Sequence, residues 1–227
     1  MSSDKMAVSV RDLSKCYEIY THPQDRLKQL VMPRIHKALG REPKSYYREF
    51  WALRNLSFDI GQGETVGIIG RNGAGKTTLL KLLTGELAPD SGTVKHGARV
   101  TLTHFDQHRA TLDPNTSLWD TLCPAGGDSV IVGDTPRHVV SYLKDFLFDE
   151  GQARSPVSSL SGGERNRLAL AKNLAKPCNL MVLDEPTNDL DMDTLDLLED
   201  MLDEFDGTVL LVSHDRDFLN RLVTSVI

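Results

Sequence analysis

One short stretch limits what this chain can fold into more than any other. Gly70-Arg71-Asn72-Gly73-Ala74-Gly75-Lys76-Thr77 matches G-x-x-x-x-G-K-[ST] in full. It follows Thr65-Val66-Gly67-Ile68-Ile69, an apolar run suited to a buried parallel strand. It opens a helical pattern from Lys76 to Thr84, with Leu79, Leu80, Leu82 and Leu83, that stops at Gly85 and a Pro89-Asp90-Ser91-Gly92 turn. A strand feeding a glycine loop and then a helix makes a phosphate cradle. Glycines let backbone N–H groups close around an anion, and the helix N-terminus adds a favourable dipole. Asn72, Gly73, Ala74, Gly75, Lys76, Thr77 and Thr78 are therefore the expected nucleotide-binding set. Lys76 is placed to reach the β- and γ-phosphates, and the Thr77 hydroxyl to hold Mg²⁺.

Such a cradle needs an acidic partner on a neighbouring strand. Leu180-Met181-Val182-Leu183 is a second buried-strand run, and it delivers Asp184 and Glu185 at its carboxyl end. Asp184 is expected to hold Mg²⁺, directly or through water. Glu185, one residue on, can act as base or polariser for an attacking water.

The rest of the chain alternates strand and helix. Val8-Ser9-Val10 and Ser57-Phe58-Asp59-Ile60 alternate like half-buried strands, Val100 to Phe105 and Thr208 to Val212 read as further strands, and Asp215 to Leu222 as a closing helix. Helical pieces fall between Leu118 and Phe148, clearest from Arg137 to Phe148, and a long helix runs from a Ser161 cap to about Ala175. Another carries Leu195, Leu198, Leu202 and Phe205 as an apolar stripe. The proline-broken segment from Thr21 to Tyr47 reads as a helical excursion on the surface. This order predicts an α/β fold with a largely parallel sheet, interrupted by a helical insert.

At 227 residues, 40% hydrophobic and 26% charged, the chain has the composition of a globular protein, which argues against disorder. No run approaches the roughly 18 to 20 apolar residues that span a bilayer, and MSSDKMAVSV lacks a signal-peptide core. The expectation is a cytoplasmic protein, or one peripheral at the inner face of the membrane. Cys16, Cys123 and Cys178 fit neither a disulfide framework nor a zinc cluster. The net charge of -6 hides a basic segment (Arg26, Lys28, Arg34, Lys37, Arg41, Lys44, Arg48) and an acidic run from Asp184 to Asp206 that reads chiefly as a solvated helix face. His104 and His108 sit at a strand end and loop and are not read as a metal pair.

Leu160-Ser161-Gly162-Gly163-Glu164 adds an element that most P-loop proteins lack. It is a second anion site, with the Ser161 hydroxyl and the Gly162 and Gly163 amides at a helix N-terminus, and at the same time a capping box between Ser161 and Glu164. Placed after a helical insert and before the acidic strand, it resembles the signature of ABC ATPases. The resemblance implies a P-loop NTPase with a largely parallel core sheet, an N-terminal antiparallel β subdomain and a helical insert. Residues 1–107 and 176–227 would form the core and 108–175 the helical, signature-bearing part of one domain. It also implies ATP as substrate, Mg²⁺ as cofactor, and a homodimer in which each ATP lies between the P-loop of one copy and the signature of the other. By the same resemblance Gln107 is the Q-loop glutamine that senses Mg²⁺ and the γ-phosphate, and Asn188-Asp189-Leu190-Asp191 is the D-loop at the dimer seam. His214, in Val212-Ser213-His214-Asp215, is the switch histidine on the γ-phosphate. The family stacks adenine on an aromatic residue before the P-loop, for which Tyr17 is the candidate and Tyr20, Phe50 and Trp51 are rivals.

Two subfamilies are resembled. Leu13 to Gly75, with Trp51-Ala52-Leu53-Arg54-Asn55-Leu56-Ser57-Phe58, is similar to ATPases of polysaccharide and teichoic acid exporters. From about Leu79, the runs FDQHRATLDP, PVSSLSGGERNRLALAKNLAKPCNLMVLDEPTNDLD and GTVLLVSHDRDFLNR are similar to the second cassette of ABC-F proteins. A seam of this kind points to a chimera. The first resemblance implies a membrane-subunit partner and the second a ribosomal one. ABC-F proteins carry two cassettes, whereas this chain has one and stops at Ile227, where relatives continue.

Overall fold

The computed structural model of the chain describes residues 6–38, 45–70, 73, 75–105, 112–132, 135–188 and 190–227. In chain order the strands and α-helices are β1 (Met6–Ile19), α1 (Pro23–Ala38), β2 (Arg48–Gly61), β3 (Thr65–Ile68), α2 (Lys76–Leu83), β4 (Ser91–His96), β5 (Leu102–Phe105), α3 (Leu118–Leu122), β6 (Ser129–Val132), β7 (Thr135–His138), α4 (Val139–Asp145), α5 (Gly162–Leu174), β8 (Leu180–Asp184), α6 (Met192–Asp203), β9 (Thr208–Val212), α7 (Arg216–Leu222) and β10 (Ser225–Val226). The chain divides into two compact units, one of Met1–Val8, Asp59–Ile69 and His96–Ile227, the other of Ser9–Phe58 and Gly70–Lys95.

The first unit is built on a parallel sheet in the order β10-β3-β9-β8-β5. Both central strands are apolar along their length because both faces are covered. Every residue of β9 is buried, as are Leu180 to Leu183 of β8. The register sets Leu180 beside Thr208 and Asp184 beside Val212. The carboxyl ends of β8 and β9 therefore finish level, and the residues that follow them meet.

The helical part of this unit packs Tyr142, Phe146, Leu118, Val157 and Leu168, all buried, into the same apolar core as Met181, Leu183, Val209 and Leu211 of the sheet. The buried Tyr142 hydroxyl donates to the Ala171 carbonyl of α5 at 2.9 Å, and burial pushes its pKa well above the ordinary tyrosine value. The expected helix from Arg137 to Phe148 is corrected at both ends, running only from Val139 to Asp145 before Leu147 turns at φ 61. Residues 135–138 form β7, an antiparallel hairpin with β6 that matches Val132 with Thr135 and Val130 with Arg137. Pro136 and the β-branched residues of Ser129–Val132 favour extended backbone, and the helix begins only after His138, whose Nδ1 accepts the Val140 N–H.

In the second unit β1 lies between β2 and β4. Arg11 bonds to Phe58, the Asp12 N–H to Ser57 and the Asn55 N–H to Ser14, the falling register of an antiparallel pair. The Asp90 N–H donates to the Ser14 carbonyl at 3.0 Å, and the Asp90 carboxylate accepts the Cys16 N–H at 2.7 Å and pairs with Lys15 at 2.9 Å. Together the Cys16 amide and Lys15 hold the Asp90 carboxyl below the usual range. The excursion after β1 is helical over α1, with Pro33 inside it. In α2, Leu79, Leu80, Leu82 and Leu83 are buried, as their spacing predicts.

Candidate functional site

The phosphate cradle rests on two glycines in the left-handed region. Gly73 has φ 79 and Gly75 φ 88, which an L side chain adopts only with strain. Gly75 is doubly constrained, since a Cβ there would lie 2.5 Å from the Ala52 carbonyl oxygen. It also occupies the N-cap of α2 without a side-chain cap. The first amides of such a helix have no carbonyl within the helix to bond, and a helix N-terminus of this kind suits an anion. In the same unit the Tyr17 hydroxyl lies 3.4 Å from Thr78 Oγ1, which places the candidate adenine-stacking ring beside this helix. Of its rivals, Tyr20 packs edge-on against Tyr47 and bonds Glu18, and Trp51 lies under the Arg54 guanidinium. Phe50 is exposed. Asn72, Ala74, Gln107, His108 and Asp189 lie outside the described residues.

In the other unit the level ends of β8 and β9 bring Asp184, Glu185 and His214 together. The Glu185 N–H donates to the Val212 carbonyl at 2.8 Å. The His214 N–H donates to Glu185 Oε2 at 3.1 Å, and His214 Nε2 stands 3.1 Å from Glu185 Oε1. Glu185 has φ 50, a sparsely populated conformation for a glutamate. A turn braced on both sides holds the strain, with Thr187 Oγ1 3.2 Å from Ser213 Oγ across the same strand ends. Among the described residues no group of three or more His, Cys, Asp or Glu side chains gathers as a metal site. Asp184, the last residue of β8, brings a carboxylate to the same strand end as Glu185.

The Ser161 turn is a complete capping box. Ser161 Oγ accepts the Glu164 N–H at 3.3 Å, and Glu164 Oε2 accepts the Ser161 N–H at 2.8 Å. With the Ser161 N–H and the Glu164 N–H engaged in the box, the Gly162 and Gly163 amides are the next donors at this helix start. The Ser161 N–H, more than any other partner, holds the Glu164 carboxyl below its ordinary value.

Arg167 and Gln152 are neighbours of the Ser161 turn that motif reading missed, and Asp191, named there as part of the D-loop, also comes against it. Asp191 caps α6 through the Thr194 N–H and hydroxyl, which hold its carboxyl below its usual value. Its other oxygen would stand 2.6 Å from a Cβ on Gly163 and lies 3.6 Å from Arg167. The capping pattern Asp191-x-x-Thr194 was readable in the sequence, but its contact with Gly163 spans a loop whose path only the fold defines.

Known proteins bear on these features. The ABC transporter family model matches residues 53–188. The ATP-binding protein Uup of Caulobacter vibrioides is 60% identical over 175 residues, which is 77% of this chain and 29% of that protein. Uup of Escherichia coli is 52% identical over 172 residues, 76% of this chain and 27% of that protein. The energy-dependent translational throttle protein EttA of Mycobacterium tuberculosis is 45% identical over 175 residues, 77% of this chain and 31% of that protein. The chain therefore spans less than a third of the length of these relatives. In fold it is similar to an inward-facing putative metal-chelate type ABC transporter, with a TM-score of 0.62 and 23% identity over 97% of this chain and 78% of the other. That likeness agrees with the α/β fold and parallel sheet described above. Since the family match covers more than half of the chain and takes in the P-loop, the Ser161 turn and β8, the chain belongs to the ABC transporter family of ATP-binding domains, a family of P-loop ATPases.

Proposed function

We propose that this chain binds MgATP on the P-loop and hydrolyses it at a site completed by the Ser161 turn of a second cassette, forming an ATP-sandwich homodimer. The Glu185–His214 pair carries this reading, because it fixes a carboxylate at the carboxyl end of a central parallel strand, where the chemistry of such folds is done. In the proposed reaction Glu185 takes a proton from water as the water oxygen bonds to the γ-phosphorus. The bond from phosphorus to the bridging oxygen breaks, and ADP keeps that electron pair. Lys76 and the α2 amides hold the β- and γ-phosphates. His214 contacts the γ-phosphate, exchanging its Glu185 neighbour for another anion. Thr77, Asp184 and Gln107 would hold Mg²⁺, which when bound neutralises charge on the β- and γ-phosphates. Tyr17 stacks on adenine, and Asn72, Gly73, Ala74, Gly75 and Thr78 complete the first face of the nucleotide. By the family resemblance Asp189 would belong to the D-loop at the dimer seam.

The Uup and EttA relatives favour an ABC-F type of role, in which the ATP-bound dimer acts at the translation machinery and turnover is slow. The printed name of EttA speaks of translation for that protein. The exporter resemblance of residues 13–75, with its membrane partner and chimeric origin, gains no support from these relatives. Among the described residues no helix is long and apolar enough to cross a membrane.

Size-exclusion chromatography with and without MgATP, on wild type and Glu185→Gln, together with a steady-state ATPase assay, tests the proposal. An ATP-dependent dimer of the variant and turnover by the wild type are expected. A wild type that binds no nucleotide would overturn it.

A further inference from the structure

The Ser161 turn is held by more than its own cap. The capping box uses only one oxygen of the Glu164 carboxylate, Oε2. The other, Oε1, accepts the Gln152 Nε2–H at 2.8 Å. Gln152 sits in the short 3-10 turn Glu150–Arg154, and its own Oε1 accepts the Asp149 N–H at 2.9 Å. A continuous chain of hydrogen bonds thus runs from the Asp149 backbone through the Gln152 amide and the Glu164 carboxylate to the Ser161 backbone. Both groups are partly buried, and each atom has the polarity its neighbour needs. Only a side chain with one donor and one acceptor can stand where Gln152 stands, since it receives a backbone N–H on one side and serves a carboxylate on the other.

We infer that Gln152 is a positioning residue for the nucleotide-facing side of the Ser161 turn. Holding Glu164 in the box fixes the Ser161 backbone and the Ser161 Oγ that accepts the Glu164 N–H, and keeps Glu164 from turning its charge toward a phosphate. The inference rests on the proposal that Ser161, Gly162 and Gly163 meet ATP bound by another copy. In that arrangement the P-loop binds nucleotide first and the Ser161 turn joins on closure. A loosened turn therefore lowers kcat while leaving nucleotide affinity of the separate chain nearly unchanged.

The polarity of the pair supplies the test. Gln152→Ala and Glu164→Gln each break the chain, the second because two amides then set donor against donor. The double variant Gln152→Glu/Glu164→Gln rebuilds every bond with the roles exchanged: the new carboxylate accepts from Asp149 and from the new amide, whose oxygen accepts from Ser161. We expect kcat to fall about 3- to 10-fold in each single variant, with the dissociation constant for a fluorescent ATP analogue within about twofold of wild type, and kcat to recover to within about twofold in the double variant. Thermal melting and amide exchange at Asp149 and Ser161 check that each variant is folded and that the swap restores the bonds. Unchanged kcat in Gln152→Ala, or no recovery in a folded double variant with protected amides, overturns the inference while the ATPase reading stands. A wild type without ATPase activity overturns both.

Discussion

His214 Nε2 stands 3.1 Å from Glu185 Oε1 while the His214 backbone N–H donates to the other oxygen of the same carboxylate at 3.1 Å. A carboxylate gripped from two directions, on a residue with φ 50, cannot swing freely. Glu185→Gln keeps the size and much of the hydrogen bonding but removes the base. ATP should still bind while hydrolysis slows by about 10² to 10⁴-fold and an ATP-stabilised dimer accumulates. Steady-state turnover and gel filtration in MgATP measure both effects, and normal turnover in this variant would remove Glu185 from the catalytic role.

Lys76→Ala deletes the mobile cation aimed at the β- and γ-phosphates. Nucleotide binding should weaken and turnover should be lost, as read by titration with a fluorescent nucleotide and by phosphate release. Unchanged ATPase activity would contradict the P-loop assignment.

Composite sites predict complementation. Lys76→Ala and Ser161→Arg chains should each be inactive alone, because both sites of each homodimer are damaged. In a mixed dimer the two lesions share one site, and the other has an intact Lys76 from one chain and an intact Ser161 from its partner. Some ATPase activity should return on mixing. Cross-linked mixed dimers that stay inactive would exclude independent composite sites.

Helix capping gives a stability prediction that involves no nucleotide. Asp215 accepts the N–H groups of both Asp217 and Phe218 at 3.0 Å at the start of α7, and Phe218 is buried in the core. Asp215→Ala should destabilise the unit by about 0.5 to 2 kcal/mol, measured by urea denaturation. No shift in the urea midpoint would show that the cap contributes nothing.

Acid should weaken the second unit through Asp90. The Cys16 amide and Lys15 depress its folded-state pKa, so its contribution to stability is fully present above the unfolded carboxylate value and is lost as pH falls through the folded one. Asp90→Asn should therefore narrow the difference between urea midpoints at neutral and strongly acidic pH. An identical pH dependence in the two proteins would show that this carboxylate is not linked to folding.

The sequence by itself determined the elements whose chemistry is local. The P-loop is one, since Gly73 and Gly75 are needed at positive φ whatever surrounds them, and the buried strands Leu180–Asp184 and Thr208–Val212 are others, because nothing but a covered parallel sheet suits such runs. The Ser161–Glu164 box was readable for the same reason, both partners lying within one helical turn. Tertiary structure alone decided what depends on register and on distant loops. The 135–138 strand took shape because residues 129–132 offered a partner, overriding a helical pattern that began only at Val139. Glu185 met His214 because β8 and β9 pair level at Asp184 and Val212. Gln152 reached Glu164, and Asp191 came against Gly163, across loops whose course no local periodicity records, since a hydrogen bond between side chains far apart in sequence depends on where the backbone has already been carried.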